Sequence, residues 1–175
     1  MASGGAALTS VRGRLGELYS VHAPGAIRLA YLLTGDKELA QDLVQEAFVK
    51  MMSRFQDLRK PVAFESYLRR TVVNLSKKHW RRLAVERRHR LLQEADISQK
   101  VVHLPDVATS EAQWEALQQL PARQRAAVVL RFYEDLSEHQ TAQVLGCSSG
   151  AVKLLVARAM KSLRASSVVE DIDGI

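Results

Sequence analysis

Asp42, Gln45, Glu46 and Val49 recur at i, i+3, i+4 and i+7, a spacing that gathers side chains along one ridge of a helix. By themselves, two acids, an amide and a valine on one ridge read as a solvated helix face. Further on, Arg69, Arg70, Asn74, Lys77, Lys78, Arg81 and Arg82 crowd a second segment. Like charges stacked along a helix repel one another, and phosphates relieve that repulsion. A third group, Lys153, Arg158, Lys161 and Arg164, offers cations to a polyanion from a helix that Ser148 or Ser149 can cap. No nucleophile–base signature and no glycine-rich phosphate loop is present. The five histidines (22, 79, 89, 103, 139) are scattered, and none pairs with the single cysteine, Cys147, at metal-ligand spacing. The expectation is a binding protein with no catalytic residues, no metal and no cofactor.

The elements that must position these groups read as helical, with no period-two run long enough for a sheet. Leu39, Leu43, Val44, Ala47, Phe48, Met51 and Met52 form a helical stripe opposite the acidic ridge. Thr34 or Asp36 can cap that helix. Pro61 marks a break over Arg54–Glu65, and a second helix is expected from about Ser66 past Arg82. Its apolar face would use Leu68, Val72, Leu75 and His79. Periodicity fades over Gln93–Ser110, which contains Pro105, and returns at Glu111 with Trp114, Leu117 and Leu120 on a core face.

Residues 137–164 carry the sharpest local pattern. Ser137 followed by Gln140 fits a capping box. Ala142 is small, Gly146 supplies a turn, and Val152 begins a buried stripe continued by Val156, Ala159 and Leu163. A small residue, a glycine four later and a valine six beyond is the spacing of a DNA-binding helix-turn-helix. A plain helical hairpin would share the alanine and glycine but not the cations of the second helix. Cys147, in the turn, reads either as a small buried hydrophobe or as a redox-sensitive thiol.

The charge pattern agrees. The chain has 175 residues and a formal charge of +6, which favours nucleic acid or an acidic membrane surface as partner. Arg69–Arg90 holds nine bases and one acid, Leu92–Leu120 five acids and one base, Pro121–Arg164 seven bases and three acids, and the final eleven residues three acids. One cysteine permits no disulfide within the chain, so a reducing cytoplasm is expected. The start is no secretory signal, and no apolar run approaches the ~20 residues of a membrane span.

Three segments together resemble the sigma-70 family, extracytoplasmic-function branch. They are Asp42-Leu43-Val44-Gln45-Glu46-Ala47-Phe48, then Phe64-Glu65-Ser66-Tyr67-Leu68-Arg69-Arg70 continuing to Asn74, then Leu120-Pro121-Ala122-Arg123-Gln124-Arg125 continuing through Leu130-Arg131-Phe132-Tyr133 to the helix-turn-helix. The resemblance implies an all-α fold of two small helical modules. Region 2 would occupy 13–91 and region 4 would occupy 111–165, joined by a flexible acidic linker, 92–110, and followed by an acidic tail, 166–175. It implies that Asp42, Gln45, Glu46 and Val49 bind core RNA polymerase. Phe64, Tyr67, Arg70, Asn74, Lys77, Lys78, Arg81 and Arg82 would bind and melt the −10 element, the loop near Arg54–Glu65 capturing an unstacked base. Tyr67 stands where relatives often carry Trp and could support stacking or simply pack, as Trp80 would. Ser148, Ser149, Lys153, Arg158 and Lys161 would meet the −35 element. An anti-sigma protein is an implied partner, and no membrane insertion is expected.

One departure stands out. Recognition helices of the family often read Gly-Thr-Val-Lys-Ser-Arg, whereas this chain reads Gly150-Ala151-Val152-Lys153-Leu154-Leu155. Weak −35 readout is expected, with at least one leucine accessible and open to a protein partner; both leucines buried is the alternative. Two rivals remain. An autonomous helix-turn-helix regulator has no need of both the acidic ridge and the basic helix of the first module. A nucleic-acid-processing enzyme would need clustered carboxylates or a nucleophile.

Overall fold

The computed structural model describes residues 3–52, 61–90 and 111–165. The expected linker 92–110, the acidic tail 166–175 and most of the base-capture loop lie outside the described residues. No strand occurs among the described residues, in agreement with the all-α expectation.

Three helices build the first module: α1 (Ser3–Thr34), α2 (Lys37–Met52) and α3 (Pro61–Arg90). Gly35, at φ 77°, lets α1 end in a left-handed turn, with its N–H on the Tyr31 carbonyl at 2.8 Å. Asp36, rather than Thr34, caps α2, its Oδ1 accepting from the Leu39 N–H at 3.0 Å. The Thr34 hydroxyl instead donates back to Ala30 O at 2.7 Å. Along α2, Leu43, Val44, Ala47, Phe48 and Met51 are buried as their spacing requires.

The third helix begins at Pro61, not near Ser66. A proline suits a first helical position, where its missing N–H costs nothing. The earlier start puts Phe64 in register with Leu68, Val72 and Leu75, and all four are buried. Phe64 packs on His22 and Phe48, with ring centroids 5.2 and 5.9 Å apart.

The second module contains α4 (Glu111–Gln119), α5 (Ala122–Val128), a π-helical turn (Val129–Tyr133), α6 (Glu138–Leu145) and α7 (Ser149–Ala165). Trp114, Leu117 and Leu120 are buried, as spaced. The capping box forms in full: Gln140 N–H donates to Ser137 Oγ at 3.2 Å, and Ser137 N–H donates to Gln140 Oε1 at 2.9 Å. Gly146, at φ 66°, turns the chain after α6, and Ser148 Oγ accepts from Ala151 N–H at 3.2 Å to start α7.

The modules share one apolar core rather than standing apart on their linker. Trp114 of α4 stacks on Tyr31 of α1, centroids 4.4 Å apart and planes 11° from parallel. Arg125 of α5 reaches the Leu33 carbonyl at 2.9 Å, and Gln118 Nε2 donates to Leu32 O at 3.2 Å.

Candidate functional site

The acidic ridge forms as its spacing demands. Packing of α2 through its apolar face leaves Asp42, Gln45, Glu46 and Val49 in solvent. Val49 is 65% exposed, a large apolar side chain left mostly in solvent. Glu46 pairs with Lys50 at 2.8 Å, both half in water, so the pair contributes little stability. The ridge is therefore free to meet another molecule.

On α3 the basic residues divide into two sets. Arg70, Asn74, Lys78, Arg81 and Arg82 are exposed. Their spacing of three to four residues makes one polar stripe, with half-buried Tyr67 at its N-terminal end and Trp80 packed partly against the core. Arg69 and Lys77, in contrast, are held by the second module. Arg69 Nε donates to Glu134 Oε2 at 2.9 Å and its Nη2 to Glu65 Oε1 at 2.8 Å. The Lys77 ammonium donates to the Leu145 carbonyl at 2.8 Å, at the C-terminus of α6. A cation is favoured there because the last carbonyls of a helix lack partners and carry partial negative charge. Burial, then the nearby Arg123, lowers the Lys77 pKa.

Two of the residues expected at DNA are engaged inside this packed arrangement. Phe64 is core, 1% exposed, because α3 starts early enough to include it in the buried stripe. Lys77 faces α6, because the modules pack together. Neither could be seen without knowing which helix lies across α3.

Local chemistry gives no hint of Arg125 either. It is largely buried and caps two helix ends at once: besides Leu33 O of α1, it donates to Gln118 O at 2.7 Å and Leu120 O at 3.2 Å, just past α4. Burial pulls its pKa down to about 10, which still leaves it charged at neutral pH. Arg131 acts similarly within the second module, donating to the Leu136 carbonyl.

On α7, Val152, Ala159 and Leu163 are buried, while Val156 packs partly against the core. Lys153, Arg158, Lys161 and Arg164 are exposed, as is Ser148; Ser149 is half-buried. Lys153 lies 3.5 Å from Glu138 in a solvent-exposed pair. The two leucines part company. Leu154 is 51% exposed, whereas Leu155 packs partly against the core. Cys147 is half-buried beside the same core.

Among the described residues, no group of His, Cys, Asp and Glu could hold a metal ion, and no helix is long and apolar enough to cross a membrane. A basic stripe, a helix-turn-helix and an exposed acidic ridge thus lie on one helical body.

Known proteins are similar to this chain over most of its length. The sigma-70 region 2 family matches residues 18–85 and the sigma-70 region 4 family matches residues 111–163. The RNA polymerase sigma-E factor of Streptomyces coelicolor is 33% identical over 152 residues, covering 84% of this chain and 82% of that protein. The ECF RNA polymerase sigma factor SigM of Mycobacterium tuberculosis is 33% identical over 147 residues, covering 84% and 74%. In three dimensions the chain is similar to the sigma factor RpoE from Bartonella quintana, solved in complex with the anti-sigma factor NepR. The TM-score is 0.69 at 22% identity, over 89% of this chain and 97% of that one, a likeness of fold. The chain belongs to the sigma-70 family of RNA polymerase sigma factors, in its extracytoplasmic-function branch.

Proposed function

We propose that the chain carries core RNA polymerase to promoters through the two modules, and that it performs no catalysis of its own. Asp42, Gln45, Glu46 and Val49 dock on the polymerase. The stripe of Tyr67, Arg70, Asn74, Lys78, Arg81 and Arg82 holds the −10 element, with Phe64 supporting it from beneath. Ser148, Ser149, Lys153, Arg158 and Lys161 meet the −35 element. Cytoplasmic location follows from this role.

The modules must part to do this. Elements about 1.5 helical turns apart lie roughly 50 Å from one another along DNA, too far for helices that share one core. Parting frees Arg69 and Lys77 to join the α3 stripe and meet phosphates. The packed form is then the one suited to storage, and an anti-sigma protein is the fitting partner to hold it. The related RpoE, with a similar fold, was solved in complex with such a protein.

The observation that carries the proposal is the solvent-exposed ridge. Four exposed residues, one of them a 65%-exposed valine, sit on a helix whose other face is fully engaged. An autonomous regulator would leave that ridge without work. The double substitution Asp42→Lys/Glu46→Lys tests it. Core polymerase binding should weaken at least tenfold with thermal stability unchanged, since neither side chain packs. A folded double variant that binds core normally removes the assignment.

A further inference from the structure

Leu154 stands at the centre of the outward face of α7, with about half its surface in solvent, although every other large apolar side chain of that helix turns at least partly inward. Its neighbours one turn away on the same face are Gly150 and Ala157, both exposed and both small. Around this apolar strip stand the exposed cations Lys153, Arg158 and Lys161. The Ser148 hydroxyl, at the start of the helix, already accepts the Ala151 N–H as its cap. The strip therefore offers shape and apolar surface, and the cations around it offer charge.

We infer that Leu154 reads thymine C5-methyl groups in the major groove, making it a specificity-determining residue for the upstream promoter element. The inference rests on the proposed role of α7 at the −35 element and specifies how that role is met. In the major groove thymine alone presents a methyl group, and apolar side chains recognise it by contact. Gly150 and Ala157 let the helix approach the base edges closely enough for a leucine to reach. The three cations place the helix by contacting phosphates, which position a protein without selecting sequence. An apolar protein partner would have no use for three cations surrounding the leucine; a polyanion does. The readout expected to be weak is instead specific in a different chemistry, in which removing a methyl group, rather than a hydrogen-bonding group, is what the helix detects.

The test uses the full chain assembled with core polymerase on promoter duplexes whose upstream block of about ten base pairs is randomised. The block is built once with thymine and once with deoxyuridine, which pairs identically but lacks the methyl. Promoters that start transcription are sequenced, and enrichment is read position by position within the block. Wild type should enrich thymine at one or two positions of either strand. Those preferences should fall about fourfold per methyl in the uracil block, as expected for one buried carbon group. Leu154→Ser should show equal enrichment with thymine and uracil, while its thermal stability stays that of wild type, because the side chain is half in solvent. Leu154→Met should retain the thymine preference. Equal wild-type enrichment of thymine and uracil overturns the methyl reading alone. A thymine preference that survives in Leu154→Ser assigns it to another residue and overturns it equally. Failure of the holoenzyme to start from any promoter overturns the parent proposal, and this inference with it.

Discussion

Arg125→Met should loosen the join between the modules, and the structure sets the size of the effect. The guanidinium donates to three carbonyls, Leu33 O, Gln118 O and Leu120 O, at the ends of two helices, where intrahelical partners run out. Hydrogen bonds to a charged group contribute about 1.5–3 kcal/mol each, and a buried acceptor left unmade costs about 1–3 kcal/mol. Water entering the vacated site recovers part of this, and methionine regains some apolar contact without the desolvation cost of a buried cation. A net loss of about 2–3 kcal/mol remains. For a protein of this size, each kcal/mol lowers Tm by roughly 2–4 °C, so the variant should melt about 5–10 °C lower in a calorimetric scan. Small-angle scattering should show an increased radius of gyration, because Arg125 ties α5 to the end of α1. A Tm within 2 °C of wild type, at unchanged dimensions, would refute the claim that Arg125 is a main tie between the modules.

Two other substitutions probe the first module. Asn74→Ala/Lys78→Ala/Arg81→Ala should reduce permanganate reactivity of unpaired thymines at a responsive promoter. It should also flatten the salt dependence of promoter binding by about one log-log unit per lost cation contact; unchanged reactivity would remove α3 from the −10 region. His79 has its pKa lowered from 6.5, first by burial and then by Arg82, so the unfolded chain takes up the proton more readily than the folded one. Stability from this residue is present above pH 6.5 and is lost on acidification below it, and His79→Gln should reduce that acid-side slope in denaturant titrations.

Local order was legible because local rules produce it. Ser137 and Gln140 bond within one turn, Gly146 takes the left-handed dihedral that glycine permits, and the stripes of α2 and α7 follow the helical period. The helix-turn-helix and the acidic ridge could be placed from spacing alone. The choice between Thr34 and Asp36 as cap could not, since either hydroxyl or carboxylate suits the position until the chain path is known. The burial of Phe64 could not be read in advance, because Pro61 reads as a break although it is the first residue of α3. The bonds that Arg69, Lys77 and Arg125 make between the modules left no signal in the sequence. Their partners Glu134, Leu145 and Leu33 lie 65, 68 and 92 residues away, and a cation bonded to a distant carbonyl or carboxylate imposes no periodicity on its own segment. Leu154 and Leu155 were distinguishable only through the register of α7, which turns one outward and the other partly inward.

The most direct test of the central claim is reconstituted run-off transcription with core polymerase, purified chain and a genomic promoter library. Defined transcripts should appear only when both proteins are present, each starting downstream of a shared pair of sequence elements. They should disappear with Asp42→Lys/Glu46→Lys. Core polymerase giving the same transcripts without the chain, or the chain binding DNA sites while leaving polymerase unaffected, would contradict it.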